Sequence, residues 1–276
     1  MKGIGILGAS GFIGKNLCNY FIHEALDFVA ISRNPDLSSS SVKFSSFKEI
    51  PQVEKLIYLS EGNDLKVIES IGEKYIQDSK TNLLETLEKK HFDLIYISSA
   101  AVYEDSHTGP LKTSSNLNIS SIYSRSKIEC EKISLDYGGT VLRLSNVYGE
   151  GMSKNNVLSN LIKKFVAKKT RIEVRDSKPI RDYLFIEDLT ECLGVLIKKN
   201  YNQIFNIGSG KGSSVKDLFE SLKLIFGADT SEIIEINPKP RESSIVLDIK
   251  ETKKIINWSP KTSLSKGLEL TVKDSL

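Results

Sequence analysis

The chain has 276 residues, of which 39% are hydrophobic and 26% are charged, and its formal net charge is only +3. This composition is typical of an ordinary soluble globular protein. The small charge excess argues against a nucleic-acid-binding protein, and no apolar run approaches the length that crosses a membrane.

The first half of the chain alternates short apolar runs with longer helical patterns. The predicted strands cover residues 3–7, 28–32, 42–44, 56–59, 94–98 and 140–144, and the predicted helices cover 12–24, 78–90 and 122–136. Strand–helix alternation with nearly all-apolar strands indicates a parallel sheet that is covered by helices on both faces.

The second half has shorter strands and mixed helices. Predicted helices cover residues 157–167, 187–198, 214–226 and 265–273, and a predicted buried strand covers 203–207. We therefore expect an α/β protein with a doubly wound parallel sheet over residues 1–149 and a smaller lobe over 150–276. About 181–207 should return to the sheet. A cleft between such units is where ligands usually bind.

A glycine-rich loop, GASGFIG, follows the first predicted strand and opens the first predicted helix. In this context Gly8 permits the tight turn, Gly11 lets backbone N–H groups approach a pyrophosphate, and Gly14 lets the helix pack closely on the strand. The pattern predicts a Rossmann-type dinucleotide site in residues 1–149, although a purely structural strand–turn–helix would also fit it.

The second predicted strand ends in Ser32 and is followed by Arg33. An NAD site usually has an acidic residue here, which accepts a hydrogen bond from the ribose 2′-hydroxyl. A guanidinium cannot accept that bond but suits a 2′-phosphate. We therefore expect NADP as cofactor, with NAD possible because a surface arginine could occur here by chance.

The run YSRSK places Tyr123 and Lys127 four residues apart in a predicted helix. Residues at that spacing lie on one face. A lysine beside a tyrosine favours ionisation of the phenol, which suits acid–base chemistry. The alternative is a surface lysine that covers a half-buried tyrosine.

The cysteines and the N-terminus indicate the compartment. Cys18, Cys130 and Cys192 are far apart and show no metal-ligand spacing, so we expect reduced thiols and no metal site. The chain begins directly in a predicted strand, with no signal peptide. These features favour a cytoplasmic protein.

Several further motifs occur in a fixed order. They are SSAAVY at 98–103, the YSRSK run, LRLSNVYG at 142–149, RDYLFIED at 181–188, FNIGSG at 205–210, and a C-terminal run from Arg241 to Leu268. With the glycine loop, this set resembles the extended short-chain dehydrogenases/reductases, specifically the NAD-dependent epimerase/dehydratase family that acts on nucleotide sugars.

The resemblance implies roles for individual residues. Tyr123 would be the general acid/base, Lys127 would hold the nicotinamide ribose and favour phenol ionisation, and Ser99 would hydrogen-bond the same sugar oxygen. The expected cofactor contacts are Gly8, Ser10, Gly11, Phe12, Ile13, Gly14, Ser32, Arg33, Leu59, Tyr123 and Lys127. A nucleotide-sugar substrate would meet Ser99, Asn146, Arg181 and Arg241. For Arg181 a structural salt bridge with Asp182 or Asp188 is the alternative. The family also implies a homodimer. The low net charge and the lack of a long apolar run predict no nucleic-acid or membrane partner.

The chain departs from the family pattern at several points. Glu104 replaces a glycine after the serine motif, the run Tyr58-Leu59-Ser60-Glu61 replaces His-Leu-Ala-Ala after the fourth strand, and the usual glycines before Arg181 are missing. These differences bear on the substrate more than on the fold.

Three reactions share the family's site. Related 4,6-dehydratases carry an Asp-Glu pair where this chain has Ala100 and Ala101. Alanine cannot move a proton, so dehydration is disfavoured. Because NADPH is the usual reductant, Arg33 favours reduction of a nucleoside-diphosphate 4-keto-6-deoxyhexose, with 4-epimerisation as the alternative. A non-catalytic dinucleotide sensor is a remoter alternative, since it would not need Ser99, Tyr123 and Lys127 together.

Overall fold

The computed structural model describes residues 2–33, 41–44, 46–62, 64–88, 91–105, 109–238 and 243–273. The strands, in chain order, are β1 Lys2–Leu7, β2 Phe28–Ser32, β3 Ser41–Lys43, β4 Val53–Tyr58, β5 Asp93–Ser99, β6 Thr140–Leu144, β7 Asn146–Tyr148, β8 Arg171–Val174, β9 Ile180–Phe185, β10 Ile204–Ile207, β11 Gly212–Ser214, β12 Glu232–Glu235 and β13 Ser244–Ile245. The helices are α1 Phe12–His23, α2 Leu65–Ile71, α3 Glu73–Leu87, α4 Ile122–Asp136, α5 Val157–Val166, α6 Ile186–Leu196, α7 Val215–Ile225, α8 Lys250–Ile256 and α9 Leu264–Val272.

The largest sheet has seven strands in the order β10-β6-β5-β4-β1-β2-β3. All six neighbouring pairs are parallel. After β3, at one edge of the sheet, the chain returns to the other side of β1 and forms β4. The direction of winding therefore reverses between β1 and β4. The predicted doubly wound α/β class is confirmed, and the reversal point is where such sheets bind ligands.

Helices cover both faces of this sheet. Ile6 belongs to the same buried cluster as Leu17 of α1 and Leu189 of α6. The next residue, Leu7, belongs to a second cluster with Leu83 of α3. Because successive side chains of a strand point to opposite faces, the apolar runs noted in the sequence have a core on each side.

A second sheet is built around β9, which pairs with β7, β11 and β13. A separate two-stranded sheet joins β8 and β12. Within the segment 181–207, β10 pairs with β6 of the large sheet, whereas β9 lies in the second sheet. The division of the chain into domains at residue 149 stays a prediction.

A buried carboxylate fastens β9 to the chain segments around it. Asp182 accepts N–H bonds from Ser209 at 2.7 Å, Gly210 at 3.0 Å and Leu247 at 3.3 Å. Burial raises the pKa of Asp182, and the three backbone donors act in the opposite direction. The segments 209–210 and 247 are thereby held beside the N-terminal part of β9.

Two predicted elements have different limits in the structure. The strand predicted at 56–59 begins at Val53, because Lys55 is buried and pairs with Asp93 at 3.3 Å instead of ending the strand. The helix predicted at 78–90 begins at Glu73, and α2 precedes it. Gly72, with a φ of 67°, makes the turn between the two helices.

Helix α4 carries a buried ion pair with the sheet. Arg143 of β6 donates to both carboxylate oxygens of Glu131, with Nη2 2.7 Å from Oε2, and both side chains are 3% exposed. Ser98 and Tyr103 extend the network, since Ser98 donates to Glu131 at 2.5 Å and Arg143 donates to the Tyr103 hydroxyl at 3.0 Å. The pair ties α4 to β5 and β6.

We predict that Glu131→Ala lowers the free energy of unfolding by about 3–5 kcal/mol, because it leaves a buried guanidinium without its counter-charge. Urea denaturation of the two proteins measures the loss. The control is Glu129→Ala on the same helix, whose carboxylate pairs with Lys132 in a partly exposed position. That change should cost about 1 kcal/mol or less. Equal losses for the two variants would contradict the prediction.

Candidate active site

The glycine loop lies at the carboxyl ends of β1 and β4. Gly8 has a φ of +94°, and a Cβ added there would come within 2.9 Å of the Leu59 backbone. The Leu59 N–H donates to the Leu7 carbonyl oxygen at 2.8 Å, which fixes this approach. A Cβ at Gly14 would overlap the carbonyl oxygen of Gly8. Both glycines are therefore required by the packing of the loop.

The N-terminus of α1 fits a phosphate group. Its N-cap residue is Gly11, and no side chain caps the first turn. The backbone N–H groups of Phe12 and Ile13 belong to this turn, which has no intrahelical acceptors for its first donors. Together with the helix dipole, these donors favour an anion. The loop thus suits a dinucleotide pyrophosphate.

The end of β2 lies beside this loop. The Ile31 carbonyl oxygen accepts the Gly8 N–H at 2.9 Å, and the Ser32 hydroxyl donates to the Ser10 hydroxyl at 2.7 Å. Arg33 follows immediately and is exposed. The residues predicted for the cofactor from β1, β2, β4 and α1 are therefore brought to one edge of the sheet.

Lys127 lies on the buried face of α4. Its Nζ donates to the Ile97 carbonyl oxygen at 2.8 Å and lies 2.6 Å from Oε2 of Glu61, and both charged side chains are 7% exposed. The ring centroid of Tyr123 is 5.9 Å from Nζ. Burial, the largest single effect, lowers the pKa of Lys127, but the Glu61 carboxylate together with Tyr123 and Cys130 outweighs it, and the net direction is upward. The ammonium is therefore charged and fixed in place.

Hydrogen bonds join the start of α4 to the end of β5. Ser121 caps the helix by accepting the Ser124 N–H at 3.0 Å, and the Ser124 hydroxyl donates to the Ala101 carbonyl oxygen at 2.9 Å. Ser99 begins the same short turn, since its Oγ accepts the Ala101 N–H at 3.2 Å. These bonds couple the turn that carries Ser99 to the turn that carries Tyr123.

A cavity of about 100 Å³ lies beside Ser99. Two other residues predicted to bind substrate, Asn146 and Arg181, also line it, as do Ala100 and Ala101. The structure thus brings together three of the four residues predicted for the substrate. The fourth, Arg241, lies outside the described residues.

Arg181 is anchored by protein groups at its edge of the cavity. Its guanidinium donates to the Ser243 hydroxyl at 2.7 Å and to the Ile180 carbonyl oxygen at 2.8 Å, and Nη2 lies 3.8 Å from the Asp105 carboxylate. The salt bridge considered from the sequence, with Asp182 or Asp188, is therefore not the contact that the structure gives. Arginine has five N–H donors, so the guanidinium retains donors for a ligand.

The sequence analysis assigned no site role to two residues of this region. Ser145 lines the cavity with its hydroxyl buried, and no described residue hydrogen-bonds that oxygen. Glu61 pairs with Lys127. For Glu61 a signal existed, since an acidic residue directly after an apolar strand lies at the carboxyl edge of the sheet. For Ser145 the sequence offered no comparable signal.

The described residues contain no candidate metal-ion site and no candidate membrane-spanning helix. None of their His, Cys, Asp and Glu side chains are grouped as a metal ion would require. None of the described helices is both long enough and apolar enough to cross a bilayer.

Comparison with known proteins identifies the family. Residues 4–208 match the family described as "NAD dependent epimerase/dehydratase family". The chain belongs to the NAD-dependent epimerase/dehydratase family. It is therefore an NAD(P)-dependent enzyme, as the glycine loop and the uncapped start of α1 independently suggest.

The proteins that the chain resembles are named for different reactions. The chain is 27% identical to the "Putative UDP-glucose 4-epimerase" of Methanocaldococcus jannaschii, over 97% of this chain and 96% of the relative. It is 26% identical to the "dTDP-4-dehydro-6-deoxyglucose reductase" of Escherichia coli, over 99% of this chain and 97% of the relative. Both similarities extend over nearly whole chains.

A solved structure has the same fold. The UDP-glucose 4-epimerase of Thermotoga maritima, crystallised with UDP-glucose, superposes with a TM-score of 0.88 and 22% sequence identity. The superposition covers 98% of this chain and 97% of that one.

We predict that Gly14→Ala weakens dinucleotide binding by about tenfold or more, because overpacking at the loop costs roughly 1–3 kcal/mol. Fluorescence titration with NADPH measures the affinity, and a thermal melt reports whether the variant is folded. The matched control is Asn16→Ala, on the same helix, whose side chain donates to the Phe12 carbonyl oxygen at 2.9 Å. A folded Gly14→Ala protein with unchanged affinity would contradict the prediction.

Proposed function

We propose that the protein reduces the 4-keto group of a nucleoside-diphosphate 4-keto-6-deoxyhexose with NADPH. The observation that carries this proposal is Arg33, at the carboxyl end of β2 and next to the glycine loop. A guanidinium there binds a ribose 2′-phosphate and leaves the adenosine ribose of NAD without a carboxylate acceptor. A cofactor that carries the 2′-phosphate fits an enzyme that consumes a reductant in each turnover.

We assign proton transfer to Tyr123, at the start of α4, with support from Ser99 at the end of β5. When bound, the cofactor supplies a hydride. Tyr123 donates the proton that the resulting alkoxide oxygen needs, and Ser99 donates a hydrogen bond to the same oxygen. Lys127 donates one of its three N–H groups to the Ile97 carbonyl oxygen and forms an ion pair with Glu61, which leaves a donor for the nicotinamide ribose.

The substrate would lie in the cavity beside Ser99. Asn146 and Arg181, with Arg241, are the groups that we assign to the diphosphate, since amide and guanidinium donors suit phosphate oxygens. Holding the diphosphate fixes which face of the sugar meets the cofactor. Ala100 and Ala101 line the same cavity and offer no acid or base, which argues against dehydration.

The alternative is 4-epimerisation, which the similarity to the Methanocaldococcus jannaschii protein favours. An epimerase oxidises and then reduces the same sugar, so its cofactor shows no net change. Tyr123 would then act first as base and afterwards as acid.

The decisive experiment supplies NADPH and a nucleoside-diphosphate 4-keto-6-deoxyhexose. We expect one NADPH to be consumed for each sugar reduced, followed by absorbance of the reduced nicotinamide and by chromatography of the product. The Tyr123→Phe variant is the control, and its turnover should fall by about a hundredfold or more while NADPH binding remains. In a parallel assay with UDP-glucose, interconversion with UDP-galactose without net loss of NADPH would contradict the proposed reduction and support 4-epimerisation.

Arg33 is expected to select the cofactor. Arg33→Asp should weaken NADPH binding by about ten- to hundredfold, through lost charge-assisted hydrogen bonds and added repulsion, and should shift the preference toward NADH. Dissociation constants for both cofactors measure the change. Lys48→Asp makes the same charge change at an exposed surface pair with Glu85 and should leave both constants unaltered. Equal affinities for NADPH and NADH in the unmodified protein would refute the assignment.

A further inference from the structure

One wall of the cavity beside Ser99 is apolar. It is formed by Ala100 and Ala101, which follow β5, and by Ile245 of β13, and we call these three residues the apolar wall. Ile245 is partly buried and packs against the cluster that contains Ala100. The side chains of the apolar wall thus present only methyl and methylene groups to a ligand in the cavity.

Peptide groups of the turn that carries the two alanines already have hydrogen-bond partners. The Ala101 N–H donates to Ser99 Oγ at 3.2 Å, and the Ala101 carbonyl oxygen accepts the Ser124 hydroxyl at 2.9 Å. The Ala100 carbonyl oxygen accepts the Tyr103 N–H at 3.1 Å. A ligand hydroxyl placed against the apolar wall would therefore lose its hydrogen bonds to water without gaining a side-chain partner, which disfavours its binding.

The carboxylate that lines the same cavity is also engaged. Asp182 accepts the backbone N–H groups of Ser209, Gly210 and Leu247. The Ser209 hydroxyl donates to the same carboxylate at 2.7 Å. A carboxylate has about four acceptor sites, so these donors occupy it. Asp182 therefore offers little to a further hydroxyl of a ligand in the cavity.

The apolar wall lies between the residues that we assign to the two ends of the substrate. Ile245 is paired in register with Arg181, which we assign to the diphosphate, and Ala100 directly follows Ser99, which we assign to the 4-keto oxygen. In a hexose, one edge from C1 to C4 carries the hydroxyls of C2 and C3. The other edge passes through the ring oxygen and C5, which carries C6. When C6 is a methyl group, this second edge is the less polar one and suits the apolar wall.

We propose that the apolar wall binds the C6 methyl group of the sugar and selects 6-deoxyhexoses against hexoses that carry a 6-hydroxyl. This inference rests on the proposed function and extends it, because it assigns the preference for a 6-deoxy sugar to three named residues. Ile245 has the largest side chain of the three, so we place most of the selection there.

The test compares the binding of sugar nucleotides that differ only at C6. The probes are UDP-glucose and UDP-6-deoxyglucose, together with the same pair of sugars on dTDP. Calorimetry of the protein saturated with NADP measures their dissociation constants. Within each pair that binds, we expect the 6-deoxy sugar to bind about ten- to hundredfold more tightly, because an apolar pocket rejects an added hydroxyl on that scale.

Two substitutions at Ile245 separate polarity from size. Valine and threonine side chains have the same shape, but threonine brings a hydroxyl to the apolar wall. We expect Ile245→Val to retain most of the preference for the 6-deoxy sugar. Ile245→Thr should reduce it by about tenfold, because the threonine hydroxyl can pair with a 6-hydroxyl. A thermal melt reports folding, and Ala101→Ser, which also adds a hydroxyl to the wall, provides the same test if Ile245→Thr is unfolded.

The outcomes separate this inference from the proposed function. A 6-deoxy preference that Ile245→Val retains and Ile245→Thr reduces supports the role of the apolar wall, even if no NADPH is consumed and the proposed reduction fails. Equal dissociation constants for the two sugars in the unmodified protein overturn the inference, even if NADPH reduces the keto sugar. Equal preferences in the valine and threonine variants also overturn it, as does the absence of binding by all the probes.

Discussion

Two buried ion pairs, one helical turn apart, determine how α4 lies on the large sheet. Lys127 and Glu131 are four residues apart and share one face of the helix, where they meet Glu61 and Arg143. Rotation of α4 about its axis would leave at least one buried charge without its partner, at a cost of several kcal/mol. Apolar packing alone would tolerate such a rotation far better, so the charges specify the orientation of the helix.

The same constraint positions the proposed chemistry. Tyr123 precedes Lys127 by one turn, and Ser124 ties that first turn to the Ala101 carbonyl oxygen. An α4 with a fixed rotation therefore holds its first turn, which carries Tyr123, against the turn that Ser99 begins. Stability and preorganisation are supplied here by the same side chains, so changes on the buried face of α4 should affect both.

Local patterns predicted the features that depend on neighbouring residues. The seven-residue glycine loop and the spacing of Tyr123 and Lys127 can be read without tertiary information, because a turn and a helix face are set within a few residues. The contact between Glu61 and Lys127 joins residues from distant parts of the chain, and no periodicity reports it. The same holds for Arg181, because Ser243 and Asp105, which contact its guanidinium, are distant from it in the chain. The apolar pattern also missed the first residues of β4, because Lys55 is a charged residue that is buried within the strand and pairs with the distant Asp93.

The position of β10 has a topological consequence. This strand completes the edge of the large sheet beside β6, yet it follows β7 and β9 of the second sheet and precedes β11 and β13. The two sheets are thus interleaved along the chain, and no single cut can separate them into two intact pieces. A fragment that ends before Ile204 would leave β6 as an open edge, ready to pair with another chain. The same holds during synthesis on the ribosome, since β10, the last strand of the large sheet, is made only after β7 and β9 of the second sheet.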